Sequence, residues 1–170
     1  MEVYAKIKGF ENYAISNGGI VINIKTGKDI KQRTNKYGYK RVNLYANSKM
    51  KVVNTHKIVA NAYLDKIENK NSIDHINGDK TDNRVSNLRY CNASENMRNS
   101  TISSRNTSGI RGVNFHKKTG KYRASICHNN KSIHIGYYDN FEDAKNARQL
   151  KANLLFGEFI HQSEKLVLEI

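Results

Sequence analysis

Between Ser72 and Asn96 the chain changes direction so often that no long element can form there. Asn77-Gly78 is a turn dipeptide, and Asp79, Asp82, Asn83, Asn87 and Asn92 follow it in close succession. Side chains of this kind bond their own backbone and favour turns and caps over helix or strand interiors. The stretch therefore divides into a short strand at Ser72 to His75, a turn, a polar loop and a second strand at Asn87 to Tyr90. A helix begins after Asn92, with Glu95 at the capping-box position three residues on. Asn96 falls in the first turn of that helix, where it can face back toward the first strand. Such a ββα unit gathers Asp74, His75 and Asn96 without a deep core.

The remainder of the 170 residues also reads as small units, since no segment of a chain that is 38% apolar promises a large core. Residues 1–50 predict a β-rich unit. Gly9 to Val21 has an extended run ending in an Asn-Gly turn, and Tyr39 to Tyr45 alternates basic and apolar side chains. The basic face of that alternation, with Arg41, either lies on phosphates or is a solvated strand face. Thr55 to Leu64 predicts a helix with Thr55 as cap and Ile58, Val59, Ala62 and Tyr63 on one stripe. Residues 99–108 have a linker composition. From 109 to 160 three strands are expected at Ile110 to Phe115, Lys121 to Cys127 and Ser132 to Tyr137. A helix capped by Asn140 follows, with Ala144, Ala147, Leu150, Leu154 and Leu155 at helical spacing and Gly157 as its stop. The expected fold class is α+β: a ββα core, then a three-stranded antiparallel sheet plus a helix.

The formal net charge of +14 points to a polyanionic partner, and nucleic acid fits better than a membrane. No apolar run reaches the roughly 20 residues that a spanning helix requires. The stretch Met1 to Lys6 has no apolar signal-peptide core, so a cytoplasmic, non-secreted protein is expected. Cys91 and Cys127 are far apart and form no CxxC pair, so no cysteine zinc site is expected. No small-molecule cofactor is expected either, and a monomer is.

Asp74, His75 and Asn96 suit phosphodiester hydrolysis. A hard divalent cation, Mg²⁺ or Mn²⁺, prefers oxygen ligands, and the Asp74 carboxylate and Asn96 carbonyl supply two. His75 is the expected general base on the attacking water, a role that typically contributes about 10²–10⁴ in rate. Consecutive side chains on a strand point to opposite faces, so Asp74 and His75 need a strand end or a bulge to converge.

Three stretches together resemble the HNH endonucleases of the phage and intron-encoded homing type. Gly9 to Gly19 resembles a NUMOD4-like N-terminal motif, His56 to Tyr63 the helix before the active site, and Ile73 to Asn96 the HNH core itself. The resemblance implies domains at 1–50 and 51–98. It also implies His75 as general base, Asn87 as the middle asparagine that holds the loop, and Asn96 as metal ligand, with His56 structural. Residues 109–162 resemble the AP2/ERF DNA-binding domain in Ser108 to Val113, Gly120 to Ala124, Ile135 to Asp139 and Glu142 to Ala144. That second resemblance implies double-stranded DNA as partner, with groove or phosphate contacts from Arg111, Asn114, Lys117, Lys121, Tyr122 and Arg123. It departs from the family at Tyr122, where a Trp is usual. The activity implied is site-specific, strand-nicking cleavage of DNA. A DNA-binding regulator with a decayed nuclease core and a structured-RNA binder are the alternatives.

Overall fold

The computed structural model describes residues 1–100, 102, 106, 108–161, 164 and 165. Residues 101, 103–105 and 107 of the expected linker, and residue 162 of the expected C-terminal domain, lie outside the described residues. The chain forms two compact units, Met1–Asn96 and Met97–Ile170.

In the first unit, β1 (Tyr4–Ile7), β2 (Phe10–Ser16) and β3 (Val21–Asn23) make one antiparallel sheet in chain order. A second antiparallel sheet joins β4 (Arg33–Thr34), β5 (Lys40–Ala46) and β6 (Lys49–Asn54). The alternation read along residues 39–45 holds in β5, where Val42 and Leu44 are buried while Arg41, Asn43 and Tyr45 are exposed. Helix α1 (Thr55–Tyr63) follows directly. Strands β7 (Ser72–His75) and β8 (Leu88–Cys91) then pair antiparallel, with a 3-10 turn at Val85–Asn87 between them, and α2 (Ala93–Asn99) completes the expected ββα order.

One core serves all of these elements. Ile7, Tyr13, Ile15 and Val21 from the first sheet, Val42 and Leu44 from β5, Ile58 and Val59 from α1 and Leu88 from β8 form a single cluster. Each fully buried aliphatic side chain contributes about 2 kcal/mol. Segments 1–50 and 51–98 therefore share one hydrophobic interior and do not pack as separate modules.

Helix α1 departs from expectation at two points. Thr55 does not cap it: Asn54 occupies the cap position, and the buried Thr55 hydroxyl donates instead to Gln32 Oε1 at 2.7 Å. Ala60, not Ala62, is buried beside Ile58 and Val59.

The second unit is an antiparallel sheet of β9 (Val113–His116), β10 (Lys121–His128) and β11 (Lys131–Tyr138), with β10 central. Helix α3 (Phe141–Phe156) packs on one face through Ala144 beside Val113 and Ala124, and Ala152 beside Ile126. The Asn140 side chain accepts from Asp143 N at 2.8 Å, which caps α3 as its sequence predicts. The buried stripe of α3 matches the expected one only at Ala144 and Leu155. Ala144, Arg148, Gln149 and Ala152 face inward, while Leu150 and Leu154 are exposed. Gly112 sits at φ +71, where a Cβ would overlap the Ser125 backbone carbonyl. Only glycine lets the segment before β9 pass so close to β10. Among the described residues no helix is long and apolar enough to cross a membrane.

Candidate active site

The β7–β8 pair keeps uniform register, with Asp74 opposite Arg89 and His75 opposite Leu88. Directly opposed residues share a face, so Asp74 meets Arg89 on one side of the ribbon. Arg89 donates to Asp74 Oδ2 from Nε at 2.9 Å and from Nη2 at 2.7 Å, and both side chains are nearly buried. Two donors on one oxygen fix the direction of the carboxylate. His75, the last residue of β7, lies toward the other side. Its Nε2 is 3.0 Å from Asn83 Oδ1, and its ring meets His56 edge-on at 5.2 Å and Tyr39 at 6.0 Å between centroids. The pairing contains no bulge, so Asp74 and His75 keep the opposite faces that strand alternation gives them, with His75 at the strand end.

The loop between the two strands is held by asparagine and aspartate side chains. Asn87 Oδ1 accepts from Asn77 N at 3.0 Å, and Asn87 Nδ2 donates to Asn77 Oδ1 at 2.9 Å and to Asp82 O at 2.8 Å. One buried amide thus ties the turn after β7 to the approach of β8. Asp79 receives the Thr81 amide and hydroxyl. Arg84 forks onto Asp82 at 2.8 and 2.7 Å and, with the Asp82 hydrogen bonds, holds that carboxyl down at about 2.

At the start of α2 the capping box closes in both directions. Glu95 N donates to Asn92 Oδ1 at 2.9 Å and Asn92 N to Glu95 Oε2 at 2.8 Å. Glu95 also pairs with Lys70 at 3.0 Å. Asn96, one residue on, is exposed and makes no side-chain hydrogen bond among the described residues.

Two buried groups near this site have displaced proton affinities. Burial lowers His56 to about 4, helped by the neighbouring His75 and Lys57, and its buried Nδ1 has no partner. Burial pushes the Cys91 thiol up to about 11, with the charges of Asp74 and Glu95 acting the same way.

The basic residues singled out in the second unit divide by face. Asn114 opposes Arg123, and Arg123 opposes Tyr137, so these three share the face away from α3 with Lys121 and His116. Lys117 is exposed in the turn after β9. Lys121 pairs with Asp139 at 2.9 Å. Tyr122, expected to touch DNA, lies on the opposite face and packs against Phe115 and Phe141, because strand alternation puts it out of phase with Lys121 and Arg123. Arg111 is also committed elsewhere: its guanidinium donates to the backbone carbonyls of Arg98, at 2.6 Å, and Ser100. In the first unit, Arg41 is exposed on β5 and paired in register with Arg33.

Parts of the chain are similar to known proteins. Residues 53–98 match the HNH endonuclease family. Residues 2–45 match the NUMOD4 motif. The chain is 33% identical over 144 residues to an uncharacterised HNH endonuclease, L245, of Acanthamoeba polyphaga mimivirus, which spans 85% of this chain and 39% of that protein. It is 37% identical over 94 residues to the DNA endonuclease I-HmuI of Bacillus phage SP01, 55% of this chain and 54% of the relative. A solved structure describing DNA binding and cleavage by the HNH homing endonuclease I-HmuI superposes with a TM-score of 0.54 at 36% identity, over 57% of this chain and 56% of that one. The chain thus spans about half or less of the length of these relatives.

Two residues of the site carry little signal in the sequence. Arg89 becomes visible only through the antiparallel register of the two strands, which places it opposite Asp74. Asn83 was read as loop polarity, and no local spacing marks it out, because its burial comes from residues far away in the chain.

Proposed function

We propose that this chain is a metal-dependent DNA endonuclease of the homing type that nicks one strand of a duplex per binding event. The observation that carries the reading is the Asp74-His75 pair at the end of β7, in a loop locked by Asn87, within the segment that matches HNH endonucleases. His75 is the general base on the attacking water. The Asp74 carboxylate and the exposed Asn96 amide oxygen are the protein ligands of a divalent ion, Mg²⁺ or Mn²⁺. This donor set fits a hard cation completed by water and phosphate oxygens. When bound, such an ion stabilises charge on the phosphate and on the leaving 3′ oxygen. Arg89 aims the Asp74 carboxylate, and Asn87 keeps the β7–β8 loop from opening.

The second unit is proposed as an AP2/ERF-like reader of duplex DNA. Its open sheet face supplies Arg123 and Asn114 for base edges, and Lys121 and Lys117 for phosphates. Arg41 adds a phosphate contact from the first unit. The net charge of +14 supports a polyanionic partner.

Incubating a supercoiled plasmid that carries bound sites with Mg²⁺, Mn²⁺ or chelator tests this. Ion-dependent conversion to open circle, abolished in His75→Ala with duplex binding kept, is expected. Tight duplex binding without cleavage under either ion would make the chain a DNA-binding regulator instead.

A further inference from the structure

Asn83 is only 3% exposed, unusually deep for an asparagine in a polar loop. Its Oδ1 is 3.0 Å from His75 Nε2, while its Nδ2 is buried without a partner. A buried donor left without a partner is destabilising. An apolar side chain of similar size would avoid that cost, so stability alone does not account for an amide here.

The main chain around Asn83 is held from behind by the turn between β2 and β3. Val85 N donates to Asn17 O at 2.8 Å. Gly19, at φ +87, approaches so closely that a Cβ there would lie 2.9 Å from Asn83 Cβ and 3.2 Å from Asn83 O. That turn is itself anchored, since Gln32 donates to Gly19 O at 2.7 Å and accepts from the Thr55 hydroxyl at 2.7 Å.

We propose that Asn83 is the positioning residue for His75, and that the Asn17–Gly19 turn of the N-terminal motif holds it in place. The Asn83 oxygen accepts the Nε2–H of the neutral ring, which puts the ring's lone pair at Nδ1. Nδ1 is then the nitrogen that takes the proton from water, while Nε2 keeps its own. The consequence for cleavage rests on the nuclease reading above; the ring tautomer does not. The N-terminal motif thereby acts on the catalytic step through packing, without itself touching substrate.

The test is a long-range ¹H–¹⁵N correlation spectrum of the His75 ring in the full ¹⁵N-labelled chain, at about pH 8.5, where an ordinary histidine is neutral. Single-turnover cleavage and duplex affinity are measured in parallel. The wild type is expected to show the Nε2–H tautomer. Asn83→Leu, which fills the space but accepts nothing, is expected to lose that preference and to cleave about 10²-fold more slowly with unchanged affinity. Asn83→Asp restores an acceptor and is expected to keep both tautomer and rate. Gly19→Ala is expected to shift the tautomer in the same direction as Asn83→Leu. An Nδ1–H tautomer in the wild type overturns the proposal even if every variant fails to fold, as does an unchanged tautomer in a folded Asn83→Leu. Absence of cleavage by the wild type, with the tautomer response intact, overturns the nuclease reading and leaves the positioning role supported.

Discussion

His56 should make the first unit sensitive to mild acid. Its ring is buried, its Nδ1 has no partner, and burial beside His75 and Lys57 lowers it from 6.5 to about 4. The unfolded chain binds a proton at this residue near 6.5, and the folded chain only near 4. Between those values the unfolded state carries more protons, so stability falls as pH falls, and the loss levels off below about 4. At about 1.4 kcal/mol per pH unit, the gap amounts to about 3 kcal/mol. His56→Phe keeps a ring against Tyr39 and His75 and removes the titrating group. Urea unfolding of the full chain, followed by circular dichroism at several pH values from about 7.5 to about 4, should show the wild type losing about 3 kcal/mol more than this variant. At neutral pH the variant should be equally stable or slightly more so. Identical pH slopes in the two proteins, or a His56 ring that titrates near 6.5 in the folded chain, would refute the reasoning.

Arg89→Leu takes two donors from the nearly buried Asp74 carboxylate and should cost about 3 kcal/mol in urea unfolding, most of it regained in Asp74→Leu/Arg89→Leu. Equal losses in the single and double variants would contradict this account. Gly112→Ala forces a side chain into the Ser125 carbonyl at a positive φ, and should destabilise the second unit by about 2 kcal/mol or more in thermal melts. Cys91, buried and raised to about 11, should resist iodoacetamide in the native chain while the exposed Cys127 reacts, as read by peptide mass spectrometry.

What the sequence discloses here depends on how far apart the interacting partners lie. The caps Asn92 with Glu95 and Asn140 with Asp143 are legible because each partner is three residues away, within one helical turn. The ββα order at 72–99 is legible for the same reason, since turn and cap residues mark each boundary. Thr55 misleads because its hydroxyl has a stronger claim on Gln32, 23 positions back, than on its own helix. Leu150 and Leu154 mislead because hydrophobic spacing identifies a stripe without saying what opposes it. The sheet accepts the expected Ala144, and the smaller Ala152 in place of the leucines. Arg111 reads as a groove contact until the carbonyls of Arg98 and Ser100 are seen to bind it. The alternation of Lys121, Tyr122 and Arg123 was available from the start, and applied strictly it separates Tyr122 from its neighbours. Asn83 had no such local signal.

The common interior of residues 1–96 sets where this chain can be cut and rejoined. Leu88 packs in one cluster with Ile15, Val21 and Val42, so a splice near residue 50 would divide a cooperative folding unit and expose apolar surface on both pieces. A graft meant to carry the β7–β8–α2 unit onto another scaffold must transfer the N-terminal sheets with it.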